Sequence, residues 1–162
     1  MKVDKIRQED RGKVDAFIVR QWFSMQMAVH GELIDMGTAD GWYATDGDEI
    51  IGLITYRIVN DEMEILSLDS VHKKRGVGTV LLNETIDKAK DCRCKRIKVI
   101  TTNDNLDALR FYQKHGFELV KIHRNAVDVA RKTKPSIPLI GNDGIPLKHE
   151  IVLEYSLRTI ES

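Results

Sequence analysis

The stretch Lys73-Lys74-Arg75-Gly76-Val77-Gly78-Thr79 decides how the rest of the chain is interpreted. It follows a β-rich run that ends near Asp69, and apolar residues recur at helical spacing directly after it. The first-turn amides of a helix have no internal acceptors and lie at the positive end of the helix dipole, so glycines there let an anion approach the backbone. The stretch therefore predicts an anion-binding turn that opens a helix. The alternative is a solvated basic loop whose glycines only permit a tight turn.

Two common phosphate-binding motifs do not fit this stretch. A P-loop closes on Gly-Lys-Ser/Thr, whereas Gly78 is followed by Thr79 and Val80. A dinucleotide fingerprint requires a small residue three positions after Gly78, where this chain has Leu81. An anion bound at this turn would therefore belong to another class of ligand.

The patterns on both sides of the turn predict one α/β domain over residues 1–162. Upstream, Asp46-Gly47 and Asn60-Asp61 separate three β-rich runs, which predict an antiparallel meander over residues 41–70. Downstream, we expect a helix to Asp91, a strand over 96–101, a helix over 106–115 and strands over 117–122 and 151–155. Near the N-terminus we expect a helix over 10–24 and a second short helix that contains Met25, Met27 and Ile34. The three prolines predict an irregular segment over residues 133–147.

Composition narrows the classes of partner. The chain of 162 residues has 25 basic and 25 acidic side chains, so no global positive field favours nucleic acid. It begins without the apolar core of a signal peptide and has no apolar run near the roughly 20 residues that span a membrane. We therefore expect a cytoplasmic protein with no nucleic-acid or membrane partner. Cys92 and Cys94 lack further ligands at zinc spacing, so no metal site is expected.

A second segment, Asn105-Leu106-Asp107-Ala108-Leu109-Arg110-Phe111-Tyr112-Gln113-Lys114-His115-Gly116-Phe117, makes the interpretation specific. It resembles motif B of the GNAT superfamily, Asn-x-x-Ala-x-x-x-Tyr-x-x-x-Gly-Phe, at all key positions. The first stretch resembles motif A of the same family, Gln/Arg-x-x-Gly-x-Gly/Ala, with Lys73 at the position that is usually Gln or Arg. The resemblance covers roughly residues 41–125.

This resemblance implies a mixed α/β fold with mostly antiparallel N-terminal strands and a central strand–helix–strand unit that binds acetyl-CoA as co-substrate. It implies direct attack by an amine in a ternary complex, with Tyr112 donating a proton to the departing thiolate. Asn105 and backbone groups near Leu66, Leu68 and Ser70 would hold the pantetheine arm like an added strand. The pyrophosphate would be bound by the turn, that is, by Lys73, Lys74, Arg75, Gly76, Val77, Gly78 and Thr79.

The acceptor ammonium must lose a proton before attack, which calls for a carboxylate near the thioester. Strict alternation places Glu62, Glu64, Leu66, Leu68 and Ser70 on one face of a strand. The resemblance places the base at Glu62 or Glu64, and Glu64 is preferred because it lies nearer the splayed end of the strand. An exposed acidic pair beside a hairpin is the alternative.

The acceptor is the least determined part of the prediction. A small-molecule amine is preferred, a protein N-terminus or lysine is the enzymatic alternative, and a non-catalytic acyl-CoA sensor or interaction module is the alternative from another class. Residues 22–31 are candidates for lining the acceptor groove, with core packing as the commoner explanation of their aromatic and thioether side chains. We expect residues 134–146 to cover the acceptor site, with Asp143 or Glu150 available to a cation. The sequence leaves open whether the protein forms a homodimer.

Overall fold

One mixed sheet of seven strands organises the molecule. The computed structural model describes residues 1–22, 24–29, 32–71 and 76–157. The strands are β1 (Lys2–Lys5), β2 (Gln26–Val29), β3 (Glu32–Asp35), β4 (Asp40–Asp46), β5 (Glu49–Val59), β6 (Glu62–Ser70), β7 (Arg96–Thr102), β8 (Glu118–His123) and β9 (Glu150–Ser156). The helices are α1 (Arg11–Trp22), α2 (Val77–Asp91), α3 (Leu106–Lys114) and α4 (Ala126–Thr133).

The strand order across the sheet is β1-β4-β5-β6-β7-β9-β8, and β2 and β3 form a separate hairpin. All neighbours in the large sheet pair antiparallel except β6 and β7, which run parallel because α2 connects them. A parallel pair needs such a crossover connection. The predicted mixed sheet with a central strand–helix–strand unit is confirmed.

Buried side chains form one apolar cluster on each face of this sheet. Trp42 and Tyr43 are neighbours in β4 but belong to different clusters, as the alternation of a strand requires. Helix α2 covers one face with residues such as Leu81, and α3 joins it there. Helix α1 covers the other face with Phe17 and Ile18. We refer to these as the α2 face and the α1 face.

Strand β6 contains a β-bulge at Leu66. Its register against β5 shifts directly after Ile65, so that Leu66 is one extra residue in β6. Leu66 packs into the cluster on the α1 face, whereas Leu68 packs on the α2 face. The sequence predicted one shared face for Glu62, Glu64, Leu66, Leu68 and Ser70. The extra residue reverses the alternation, so this prediction is wrong beyond the bulge.

Most predicted elements are confirmed within a few residues, but the N-terminal third differs. The short helix expected around Met25, Met27 and Ile34 is wrong, because β2 and β3 form a hairpin in which Met27 pairs with Ile34. The spacing of Met25 and Met27 is the period of a strand. Strand β1 and helix α4 were not predicted. Among the described residues, no helix has both the length and the apolar character needed to cross a bilayer.

Candidate active site between strands β6 and β7

Strands β6 and β7 separate partway along their length. Their parallel ladder joins Glu62–Ile65 to Arg96–Val99 and then stops. Beyond it, β6 continues along β5 as far as Ser70, and β7 continues along β9 as far as Thr102. The divergence opens a gap in the middle of the sheet, and a strand edge beside such a gap can pair with an extended ligand.

Helix α2 begins beside this gap with the geometry of an anion site. Gly76 precedes the helix with φ 74°, a left-handed conformation that glycine adopts without steric cost. Val77 and the residues after it present first-turn amides that have no acceptor within the helix. The position of the helix start is fixed, because a β-carbon on Gly52 of β5 would lie 2.5 Å from Cγ1 of Val77. Lys73, Lys74 and Arg75 lie outside the described residues.

The start of α2 is joined to α3 by side chains from both predicted motifs. The hydroxyl of Thr79 lies 3.0 Å from Nε2 of His115, and Nδ1 of the same ring lies 2.7 Å from the carbonyl oxygen of Phe111. Gly78 lies against the Phe111 ring, since a β-carbon there would be 3.3 Å from Cε1. The two segments that carry the resemblance therefore form one contact surface.

Tyr112 lies on α3 and is buried on the α2 face. Its ring packs edge-on against Phe117, with the ring centroids 5.2 Å apart. Burial raises the pKa of the Tyr112 phenol well above its usual value, and the charge of Asp69 on β6 adds to the rise. The phenol is therefore protonated at neutral pH, which a proton donor must be.

Asn105 is the N-cap of α3. Its side-chain oxygen accepts a hydrogen bond from the backbone N–H of Ala108 at 3.1 Å. Such a cap fixes the first turn of the helix and hence the position of Tyr112 two turns later. Whether its nitrogen also contacts a ligand stays a prediction.

Glu62 and Glu64 lie on the α1 face within a network of cations. The two oxygens of Glu64 lie 3.3 Å from Arg57 Nη2 and 3.3 Å from Lys98 Nζ. Glu62 pairs with Arg96 at 3.2 Å and with Lys98 at 3.3 Å. Partial burial lowers the pKa of Lys98, but the charges of Glu64 and Glu62 outweigh that effect and raise it. Lys98 is therefore a fixed positive charge between the two carboxylates.

Four members of this network, namely Arg57, Glu62, Glu64 and Lys98, line a groove of about 480 Å³ on the α1 face. The groove reaches Ile100, the first residue of β7 beyond its ladder with β6, and so adjoins the gap. Its lining holds more carboxylates than fixed cations. The lining residues are Glu32, Arg57, Glu62, Glu64, Lys98, Ile100, Val120, Lys121, His123, Val152 and Glu154.

Asp69 is a site residue that the sequence did not predict as one. The bulge turns it to the α1 face, where its Oδ2 accepts a hydrogen bond of 2.8 Å from the indole N–H of Trp22, the last residue of α1. Burial raises the pKa of the Asp69 carboxyl, and the indole hydrogen bond opposes the rise. The position of a bulge is not readable from one sequence, so no signal pointed to this contact.

The segment after β8 is held against the hairpin and the sheet. Helix α4 packs on β2 and β3, and Lys134 donates to the carbonyl of Gln26 at 3.0 Å. Arg131 donates to the carbonyls of Ile137, Pro138 and Leu147 at 3.2, 2.6 and 2.7 Å.

The predicted irregularity of residues 133–147 is confirmed from Lys134 onward, since Thr133 still belongs to α4. Within the segment there are a 3-10 turn at Asn142–Gly144 and an isolated bridge between Ile140 and Pro146. Asp143 is exposed in that turn, whereas Glu150 is buried at the start of β9.

The described residues contain no cluster of His, Cys, Asp or Glu side chains able to hold a metal. Of the predicted acceptor flank, Phe23, His30 and Gly31 lie outside the described residues. The described parts of that flank are Trp22 and residues 24–29, and none of them lines the groove.

The sequence matches a known protein family and a related protein over the region that contains this site. The model of the acetyltransferase (GNAT) family matches residues 9–117, which include the gap, α2 and α3. The uncharacterized protein YxbD of Bacillus subtilis (strain 168) is 42% identical over 146 residues, which are 90% of this chain and 92% of that protein.

Two solved structures share the fold at low sequence identity. The IAA acetyltransferase from Bacillus cereus ATCC 14579 aligns with a TM-score of 0.72 and 21% identity, over 96% of this chain and 99% of that one. A GNAT family acetyltransferase from Elizabethkingia anophelis with acetyl-CoA bound aligns with a TM-score of 0.71 and 22% identity, over 96% and 97% of the two chains.

Proposed function

Since this chain belongs to the acetyltransferase (GNAT) family, we propose that it transfers the acetyl group of acetyl-CoA to the primary amine of a small molecule. One observation carries the proposal. The start of α2, which has the geometry of an anion site, lies on one face of the sheet beside the gap between β6 and β7, and a groove lined by four carboxylates and three fixed cations lies on the other face. A donor and a cationic acceptor can thus meet from opposite faces.

The donor part of the proposal rests on the helix start and the gap. The first-turn amides after Gly76 suit a pyrophosphate, and the β6 edge from Leu66 to Leu68 suits the amides of a pantetheine arm. Tyr112 supplies the proton that the thiolate leaving group takes up, because its phenol stays protonated at neutral pH.

The acceptor part rests on the charge of the groove. Glu62 and Glu64 contribute two of its four carboxylates, against the three fixed cations Arg57, Lys98 and Lys121. This surplus of negative charge favours an alkylammonium over an anionic acceptor. In our proposal the two glutamates attract and orient the acceptor, while each also holds part of the ion-pair network.

A thiol-release assay with acetyl-CoA tests the proposal. The acceptor panel contains an alkyl polyamine, an aminoglycoside and a peptide with a free N-terminus. We expect turnover on at least one small amine, with initial-rate lines that intersect because both substrates must bind before reaction. Turnover on the peptide alone would instead identify a protein acetyltransferase. Tight binding of acetyl-CoA with no turnover on any amine would favour an acyl-CoA sensor.

The Gly78→Glu variant tests the cofactor site itself. A carboxylate at this first-turn position would repel a pyrophosphate, and its side chain would meet the ring of Phe111. We expect acetyl-CoA binding, measured by calorimetry, to be lost. Retained affinity would remove the start of α2 from the site. The matched control, Gly12→Glu, places the same charge at an open position in α1.

A further inference from the structure

Asp69 is a partly buried carboxylate on the strand that borders the gap. It lies near the end of β6, opposite Leu53 of β5, and its side chain is partly buried on the α1 face. The indole N–H of Trp22 holds its Oδ2 at 2.8 Å. The Oδ2 atom of Asp69 is thus held by Trp22 of α1, while the backbone of Asp69 belongs to β6, the strand that borders the gap.

Asp69 differs from the two predicted bases in its partners. Both oxygens of Glu64 are engaged by cations, Arg57 and Lys98. Asp69 forms no ion pair with any residue in the described ranges, and its hydrogen-bond donor is the neutral indole of Trp22. A carboxylate that accepts a proton needs an oxygen that no cation holds, and among these acids Asp69 meets that condition best.

The surroundings of Asp69 make its carboxylate more basic. Burial raises its pKa, against the opposing effect of the Trp22 hydrogen bond. Among the described residues, the indole of Trp22 from α1 contacts Asp69, and Leu53 of β5 lies opposite it in the ladder. The titratable group in this part of the chain whose pKa the charge of Asp69 raises is the phenol of Tyr112, which belongs to the cluster on the α2 face. Asp69 and Tyr112 thus lie on opposite faces of the strand that borders the gap between β6 and β7.

We propose that Asp69 is the general base that takes the proton from the acceptor ammonium, and that Trp22 positions it. The inference rests on the proposed acetyl transfer and specifies its acid–base pair. Asp69 lies on the α1 face of the sheet, the face that also carries the groove, and Tyr112 lies on the α2 face. The two proton transfers are thereby assigned to opposite sides of the reacting carbonyl.

The protons balance as follows. The acceptor ammonium gives one proton to Asp69, and the neutral nitrogen attacks the thioester carbonyl. The C–S bond breaks, the thiolate takes the phenolic proton of Tyr112, and the nitrogen's second proton restores the phenol. Asp69 releases its proton to water. The products are the acetamide, coenzyme A as the free thiol and one proton.

The kinetic test uses Asp69→Asn, which keeps an oxygen to accept the indole hydrogen bond but removes the base. On an alkylamine acceptor that the wild type acetylates, we expect kcat/KM near neutral pH to fall roughly a hundredfold, with acetyl-CoA affinity unchanged. On a weakly basic amine that is already neutral at that pH, the loss should largely disappear. An equal loss on both amines, or no loss on either, would overturn the assignment.

A second measurement does not depend on turnover. The chain has two tryptophans, so the indole N–H resonance of Trp22 is identified by its absence in Trp22→Phe. In the wild type with acetyl-CoA bound, we expect this resonance to titrate with a midpoint above the ordinary aspartate range, and not to titrate in Asp69→Asn. A resonance that does not move with pH would overturn the inference. The absence of turnover on every amine would count against the proposed function instead.

Discussion

Thr79 on α2 and His115 at the end of α3 share a hydrogen bond of 3.0 Å that joins the two cofactor-side helices. The carbonyl of Phe111 can only accept, so Nδ1 of His115 carries the ring proton in that contact. In the neutral ring, Nε2 therefore accepts from the Thr79 hydroxyl. The first turn of α2 is held in place by a residue that lies 36 positions later in the chain.

The Thr79→Val variant tests this connection. It keeps the shape of the side chain but removes the hydrogen bond, so the helix start is less well fixed. We expect acetyl-CoA to bind about fivefold more weakly, equivalent to about 1 kcal/mol, as measured by calorimetry. Thr85→Val is the matched control, since Thr85 bonds the carbonyl of Leu81 inside the same helix. Equal affinities for both variants and the wild type would show that the contact does not shape the site.

Tyr112→Phe should lower kcat roughly a hundredfold while leaving acetyl-CoA affinity nearly unchanged. The variant removes the proton donor but keeps the ring that packs against Phe117. Tyr56→Phe is the control, because burial also raises the pKa of Tyr56, to about 12, at a site outside the gap. If Tyr112→Phe lost no more activity than Tyr56→Phe, another group would have to protonate the thiolate.

Glu64→Gln should act mainly on stability. The amide would leave Arg57 and Lys98 without their shared carboxylate, and the Glu64 side chain is only 9% exposed. We expect a loss of roughly 1–3 kcal/mol in the free energy of unfolding, measured with urea. Glu62→Gln should cost less because its side chain is 27% exposed. A large alkaline shift of the kcat/KM profile in Glu64→Gln would return the role of base to this residue.

Arg131→Lys should loosen the segment that follows α4. Lysine keeps the charge but has no planar fork, and so it cannot bond the carbonyls of Ile137, Pro138 and Leu147 together. We expect faster proteolysis within residues 134–147 and a roughly tenfold higher acceptor KM, the effect of about 1.4 kcal/mol. The constant for acetyl-CoA should not change. Arg110→Lys, at an exposed position, is the control.

The stability of the protein should depend on Asp69 with a definite sign. Burial raises its folded-state pKa above the unfolded value, so the folded state holds the proton more tightly. Stability is therefore lost as pH rises from the ordinary aspartate range through the folded-state pKa. Asp69→Asn removes this loss, and its melting temperature at neutral pH should equal or exceed that of the wild type. A lower melting temperature would show that the carboxylate stabilises the fold.

The elements nearest the cofactor could be predicted because local rules fix them. Gly76 and Val77 start a helix, and the pattern from Asn105 to Tyr112 places a capped helix with its tyrosine on the buried face. These features depend on neighbours in sequence. The orientation of Asp69 depends on how β6 pairs with β5, which no local pattern encodes.

The acceptor side was harder to predict for the same reason. Strands β2 and β3 have only four residues each, too few for a period to be established over the whole hairpin, and α4 has only eight. Arg131 organises the loop through three carbonyls, and a carbonyl is common to every residue type. Such contacts therefore cannot be predicted from the residue types in the sequence.

The bulge at Leu66 implies that the orientation of the site residues depends on the number of residues in β6 as well as on their side chains. Replacing Leu66 with another apolar residue keeps the extra position, and Asp69 keeps its contact with Trp22. Deleting the residue would instead put the rest of β6 out of phase and turn Asp69 toward α2. A substitution library should therefore find this position tolerant, while a library of single-codon deletions should find it among the least tolerant of the strand.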